Sequence, residues 1–105
     1  MTTGDLQGKQ EAGRMRTFII ERDLAEIGGR DAEALAALAR TSNGVVAEMG
    51  PYIQWVQSYV TDGRMYCTYR APNAELLREH ARRSGLRADR IAQVRAVIDP
   101  TTGGG

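Results

Sequence analysis

The chain has 105 residues, enough for one domain and too few for two separate cores. Apolar residues make up 42% of it and charged residues 26%, and no apolar run approaches the roughly 20 residues of a membrane span, so a soluble protein without a membrane partner is expected. Fourteen basic against 13 acidic residues leave a net charge of +1, which argues against the broad positive field that nucleic-acid binding requires; the local stretch REHARRSGLRADR is interrupted by Glu79 and Asp89 and reads as a solvated helix face.

The opening MTTGDLQGKQEAGR is polar and charged where a secretory signal would need an apolar stretch, which predicts a cytoplasmic protein with residues 1–14 as a disordered leader. A single cysteine, Cys67, forms no internal disulfide and agrees with a reducing compartment. From Arg16, RTFIIER is a short apolar run of strand type, and Gly28 and Gly29 form a break after it. Leu35, Leu38, Val45 and Met49 recur at helical spacing from Asp31, with Ser42 filling the gap, and Gly50 and Pro51 end that helix. YIQWVQSYV and RMYCTYRA are β-rich runs on either side of TDG, whose Asp-Gly pair signals a hairpin. Asn73 caps a second helix carrying Leu76, Leu77, His80 and Ala81 on one side, and Gly85 stops it. RIAQVRAVID is the last strand, and residues 101–105 read as a disordered tail after Pro100.

The order β-α-β-β-α-β predicts one α+β domain over residues 15–100, a ferredoxin-like sandwich with two helices on one face of a four-stranded antiparallel sheet. Alternation along the strands then assigns faces. Met65, Cys67 and Tyr69 belong under the helices, with Ala92, Val94, Ala96 and Ile98 in the last strand, while Gln93 and Arg95 face outward. In the second strand Val56 and Val60 are assigned inward, and Ile53, Trp55 and Tyr59 outward.

This arrangement offers two candidate sites. Cys67 lies about 13 Å back from the strand end at Ala71, and His80 lies about 10 Å along the returning helix from Asn73, so the only cysteine and the only histidine stand at nearly the same level of the sheet. Thiolate and imidazole together suit a soft or borderline metal, with Glu79, Asp62 or Glu48, water or a second subunit completing the set, since a tetrahedral site takes about four ligands. The same pair is also compatible with an activated thiolate nucleophile, or with a buried thiol beside a core-edge histidine bonded to Tyr69. The second site is the sheet face away from the helices, where Trp55, Tyr59 and Tyr66 form an aromatic cluster suited to a homodimer contact or a ligand.

FIIERDL, WVQSYVTDGRMYCTYRAPNAELLREHARRSGL and ADRIAQVRAVIDP resemble a family of small bacterial ferredoxin-like proteins, usually described as a domain of unknown function and associated with nickel binding. The likeness spans roughly residues 15–100; its most specific pieces are WVQSYV, CTYRAP and REHA, and Cys67 and His80 occupy two of the motif positions. It implies a dimer and divalent-metal binding, with Ni²⁺ as the ion and no demonstrated catalysis. Ni²⁺ accepts imidazole, thiolate and oxygen ligands, as zinc and copper do. The function expected is therefore a metal-handling or metal-responsive homodimer. Two alternatives stand beside it: a cofactor-free dimeric α+β barrel enzyme, such as a small monooxygenase or isomerase, and a non-catalytic interaction module.

Overall fold

The computed structural model describes residues 14–104, so the expected leader lies almost entirely outside the described residues. Strand β1 (Arg16–Asp23) is followed by a short 3-10 turn at Ile27–Gly29, helix α1 (Ala32–Met49), strands β2 (Gln54–Val60) and β3 (Arg64–Ala71), helix α2 (Ala74–Ser84) and strand β4 (Arg90–Gln93). The strands lie in the order β2-β3-β1-β4 and every neighbouring pair is antiparallel. This is the ferredoxin-like α+β fold.

Local chemistry sets the element ends. Asp31 accepts a hydrogen bond from the Ala34 amide at 2.9 Å, and Asn73 does the same for Leu76 at 3.1 Å, so each helix begins at a side chain that satisfies one of its free amides. Gly85 adopts φ 74° and returns its amide to the Ala81 carbonyl, the left-handed stop that a residue with a Cβ adopts at a cost. The Ser42-Asn43-Gly44 stretch stays helical within α1, and Ser42 is held in the interior by side-chain bonds to Tyr69 and His80. The residues after Pro100 do not start as a loose tail: Asp99 caps a 3-10 turn over Pro100–Gly103 by accepting from the amides of Thr101 and Thr102.

The core lies between the sheet and the two helices. Phe18, Ile20, Ile27, Ile53, Met65, Cys67, Tyr69, Ala71 and Leu77 make one buried cluster, against which Leu35, Leu38, Trp55 and Ile91 pack. Met65, Cys67 and Tyr69 thus project from β3 toward the helices.

Face assignments in two strands are reversed in part; in β2, Tyr59 outward and Val60 inward hold, Val60 pairing with the buried Met65 and lining the covered side. In β2 the pairing runs Trp55 with Tyr69, then Gln57 with Thr68, so Val56 is an extra residue in a bulge. The bulge interrupts the alternation: Trp55 and Ser58 both fall on the helix side, Ile53 is buried just ahead of the strand, and Val56 turns out to solvent. Only Tyr59 of the three residues assigned outward lies on the open face, opposite Tyr66. In β4, Ile91 pairs with the buried Ile20 and Ala92 with Ile19, so Ile91 faces the core and Ala92 faces away. The strand also ends early. The Val94 amide reaches the Thr17 carbonyl at 2.8 Å, and beyond it β1 has run out, so Val97 and Ile98 have no strand to pair with and stand exposed.

The loop after β1 braces the β2-β3 turn: the Leu24 amide donates to the Gly63 carbonyl and the Gly28 amide to the Asp62 carbonyl. A Cβ at Gly28 would lie 2.7 Å from the Asp62 Cα and 2.8 Å from the Thr61 carbonyl oxygen, both backbone atoms that have no rotamer to escape into. Gly28→Ala is accordingly expected to cost about 1–3 kcal/mol, read as a lower urea midpoint with an unchanged slope, whereas Gly29→Ala, which meets nothing within 4 Å, should leave the midpoint nearly in place.

Candidate functional site

The apolar core carries a buried polar set contributed by four elements. Tyr69 comes from β3, Ser42 from α1, His80 from α2 and Arg22 from β1, and each is almost or wholly removed from solvent. The Ser42 hydroxyl lies 2.9 Å from the Tyr69 hydroxyl and 3.1 Å from His80 Nε2. The Tyr69 and His80 rings are 5.1 Å apart between centroids, and the Arg22 guanidinium carbon is 6.0 Å from the Tyr69 ring centre, within reach of a cation-π attraction.

Counting donors fixes the direction of this relay. If Tyr69 donates to Ser42 and Ser42 to His80 Nε2, the one orphan is an N–H at Nδ1. The reverse direction leaves both the tyrosine hydrogen and the Nδ1 lone pair unpaired, and each buried orphan costs free energy. His80 is then the neutral Nδ1–H tautomer, and its Nδ1 has no hydrogen-bond partner among the described residues. Burial, helped by the positive charge of Arg22, holds the imidazole pKa below its ordinary value. Burial likewise raises the Tyr69 hydroxyl, the bond to Ser42 opposing it in part, so the phenol stays a protonated donor at neutral pH.

Arg22 is the least expected member. Its Nη1 donates to the carbonyls of Leu86 at 3.3 Å and Arg87 at 2.7 Å; Nε and Nη2 have no partner among the described residues. Beside it is a cavity of about 150 Å³ between α1 and the sheet, walled by Leu35, Leu38, Ser42, Trp55, Met65, Cys67 and Tyr69 together with Arg22 itself. Arg22 was legible in the alternation Phe18, Ile20, Arg22, which puts its side chain on the core face; the rarity of the single cysteine and histidine is a louder signal and hides it. Ser42 carried no such signal, since a small polar residue inside an amphipathic helix reads as a tolerated gap.

The metal ligands expected from the sequence are not assembled by this arrangement. His80 and Cys67 both lie in the interior, but the imidazole meets Ser42 and Tyr69, and no hydrogen bond among the described residues joins it to the thiol. Glu79 is held on the outside of α2 by Arg82 and Arg83, whose hydrogen bonds lower its carboxyl pKa to about 2. No group of three or more His, Cys, Asp and Glu side chains among the described residues is placed to hold an ion. The donor set that the described residues of one chain assemble does not fit a metal centre. Of the aromatic trio, Tyr59 and Tyr66 pair across the open face, whereas Trp55 stacks at 6.4 Å on Tyr69 on the covered side and donates its indole N–H to Ser58.

The fold and its interior define a small ferredoxin-like α+β protein with a polar relay and a cavity under its helices. Residues 18–94 match the family described as nickel responsive protein, SCO4226-like, and the chain belongs to that family. The crystal structure of SCO4226 from Streptomyces coelicolor A3(2) superimposes with a TM-score of 0.67 at 20% identity, covering 78% of this chain and 99% of that one, which supports the fold. No curated protein matches the chain significantly.

Two expected outcomes test the relay. Ser42→Ala strands the Tyr69 hydroxyl and His80 Nε2 together and should cost about 1–3 kcal/mol in equilibrium denaturation. Because the folded His80 pKa is depressed, the unfolded chain binds the proton first: the contribution of His80 is complete above pH about 6.5 and is lost as pH falls from there through the folded value, at no more than about 1.4 kcal/mol per pH unit. Thermal melts at descending pH should fall more steeply for the wild type than for His80→Gln; parallel slopes would place a charged imidazole in the folded protein.

Proposed function

We propose that the protein acts in the response to nickel as a small homodimer, and that divalent metal is held where two copies meet and not inside one fold. The observation that carries this reading is the family match over residues 18–94, described as nickel responsive. The geometry supplies its second half. One copy keeps its imidazole and its thiol buried, and among the described residues no carboxylates group with them to complete the set of about four donors that such a site takes. A symmetric pair of sheet faces brings together two copies of the carboxylates that lie there, Glu21 and Asp23, without any new residue.

Two surfaces suit such a contact. The open sheet face carries Tyr59 and Tyr66, bordered by ion pairs of Arg64 with Glu21 and Asp23. The extended segment after β4 carries Val97 and Ile98 past the end of the sheet, exposed at 82% and 78%. Apolar surface presented in this way is stabilised by a partner.

The cofactor-free barrel enzyme has one observation in its favour, the cavity under α1. His80, the residue most suited to act as its base, is not among the cavity walls and is occupied by Ser42. The nickel-responsive dimer is therefore the better supported function.

Native mass spectrometry of tag-free protein with and without Ni²⁺ tests both halves. The expected result is a dimer that alone retains nickel, with His80→Phe retaining it as well; Tyr59→Asp, which places a charge in the sheet contact, should shift the population toward monomer and reduce nickel retention with it. A monomer that binds one nickel ion and loses it in both His80→Ala and Cys67→Ser would put the centre back inside a single chain.

A further inference from the structure

Arg22 is a full positive charge with no exposed surface, and none of the ion pairs among the described residues involves it. Buried charges are ordinarily paired, because an unpaired one forfeits its hydration for nothing in return. Nη1 is tied down by the carbonyls of Leu86 and Arg87, which with the Tyr69 ring face orient the guanidinium but supply no counter-charge. The two nitrogens left without partners are Nε and Nη2. These form one of the two edges of a guanidinium on which two N–H bonds run parallel from different nitrogens, a fork that takes both oxygens of a carboxylate.

The cavity that Arg22 helps to line has a definite character. The cavity of about 150 Å³ is walled mainly by Leu35, Leu38, Trp55, Met65 and Tyr69. An engineered apolar cavity of similar size accommodates a benzene ring. A fixed cation at the side of a small apolar chamber describes a site for an amphipathic anion: a charged head for the fork and a compact hydrophobic body for the chamber.

We propose that this cavity binds a small organic carboxylate, with the carboxylate on Arg22 Nε and Nη2 and an apolar body about the size of one aromatic ring against Leu35, Leu38 and Trp55. The site stands apart from the nickel reading: it uses neither His80 nor Glu79, and it is tested without metal.

Benzoate and its neutral counterpart benzamide are the probes, titrated calorimetrically and by thermal shift into the full-length protein. Benzoate should bind at least about tenfold more tightly than benzamide and raise the melting temperature. Arg22→Met should lose the benzoate shift and show a higher melting temperature than unliganded wild type, because an uncompensated buried charge has been replaced by an apolar side chain of similar length. Arg22→Lys, which keeps the charge but lacks the fork, should bind benzoate more weakly than wild type. If Arg22→Met does not fold, Ala39→Phe provides the check: it fills the chamber beside an intact Arg22, and it should abolish benzoate binding while the circular dichroism stays native. Equal binding of benzamide and benzoate, undiminished benzoate binding by Arg22→Met or Ala39→Phe, or protection by chloride or inorganic phosphate equal to that by benzoate would each overturn the proposal.

Discussion

The Ser42 hydroxyl holds two elements of this protein in register with the sheet. Among the described residues it is the one side chain hydrogen-bonded to both Tyr69 on β3 and His80 on α2, and it belongs itself to α1. Apolar packing between helices and sheet is permissive about small slides, since one methyl contact resembles the next. Hydrogen bonds at 2.9 and 3.1 Å are not permissive: moving either helix strands a donor or acceptor away from water, and this is expensive in a core. The relay therefore selects one placement of α1 and α2 over the sheet. The walls of the cavity beside it, drawn from α1 on one side and β2 and β3 on the other, depend on that placement.

Much of the fold was legible because its signals are local. Asp31 and Asn73 announce helix starts, Gly85 a helix stop, and Asp62-Gly63 the turn between β2 and β3; each acts over a few residues, and the structure keeps them. The face assignments failed where a nonlocal fact intervened. Nothing in QWVQSYV shows that Val56 is passed over in the pairing with β3, yet one extra residue exchanges inside for outside, so Trp55 leaves the open face and joins the core. In RIAQVRAVID the alternation favours a strand to Asp99, but a strand lasts only as long as its neighbour, and β1 begins at Arg16.

The interior shows how rarity differs from chemical availability. Cys67 and His80 are the sole residues of their kinds, but what a side chain does is decided by the groups around it. His80 Nε2 is engaged by Ser42, and Cys67 forms part of a largely apolar cavity wall. Arginine is the commonest base in this chain, and one of thirteen has an environment unlike the others. Exposed arginines such as Arg82 and Arg83 share Glu79 and solvent, while Arg22 is buried beside the Tyr69 ring with two backbone carbonyls as its hydrogen-bond partners. Strand periodicity could have separated Arg22 from the rest; composition could not.

The same periodicity accounts for the lack of an assembled metal centre among the described residues of one copy. In a two-layer sandwich with a single sheet, successive residues of a strand go to opposite sides. The soft and borderline donors, Cys67 and His80, fall on the covered side with Tyr69. The carboxylates fall elsewhere: Glu21 lies on the open face opposite Tyr66, Asp23 opposite Arg64, and Glu79 on the outside of α2, each with an arginine. A sheet is a barrier that side chains from its two faces do not reach across, so Glu21 and Asp23 are kept apart from Cys67 and His80. Charge compensation reinforces the separation, because a cation arriving at Glu21, Asp23 or Glu79 must first displace a guanidinium already there. A second copy changes this geometry without moving any strand, since it brings another set of donors to the rim and open face from outside.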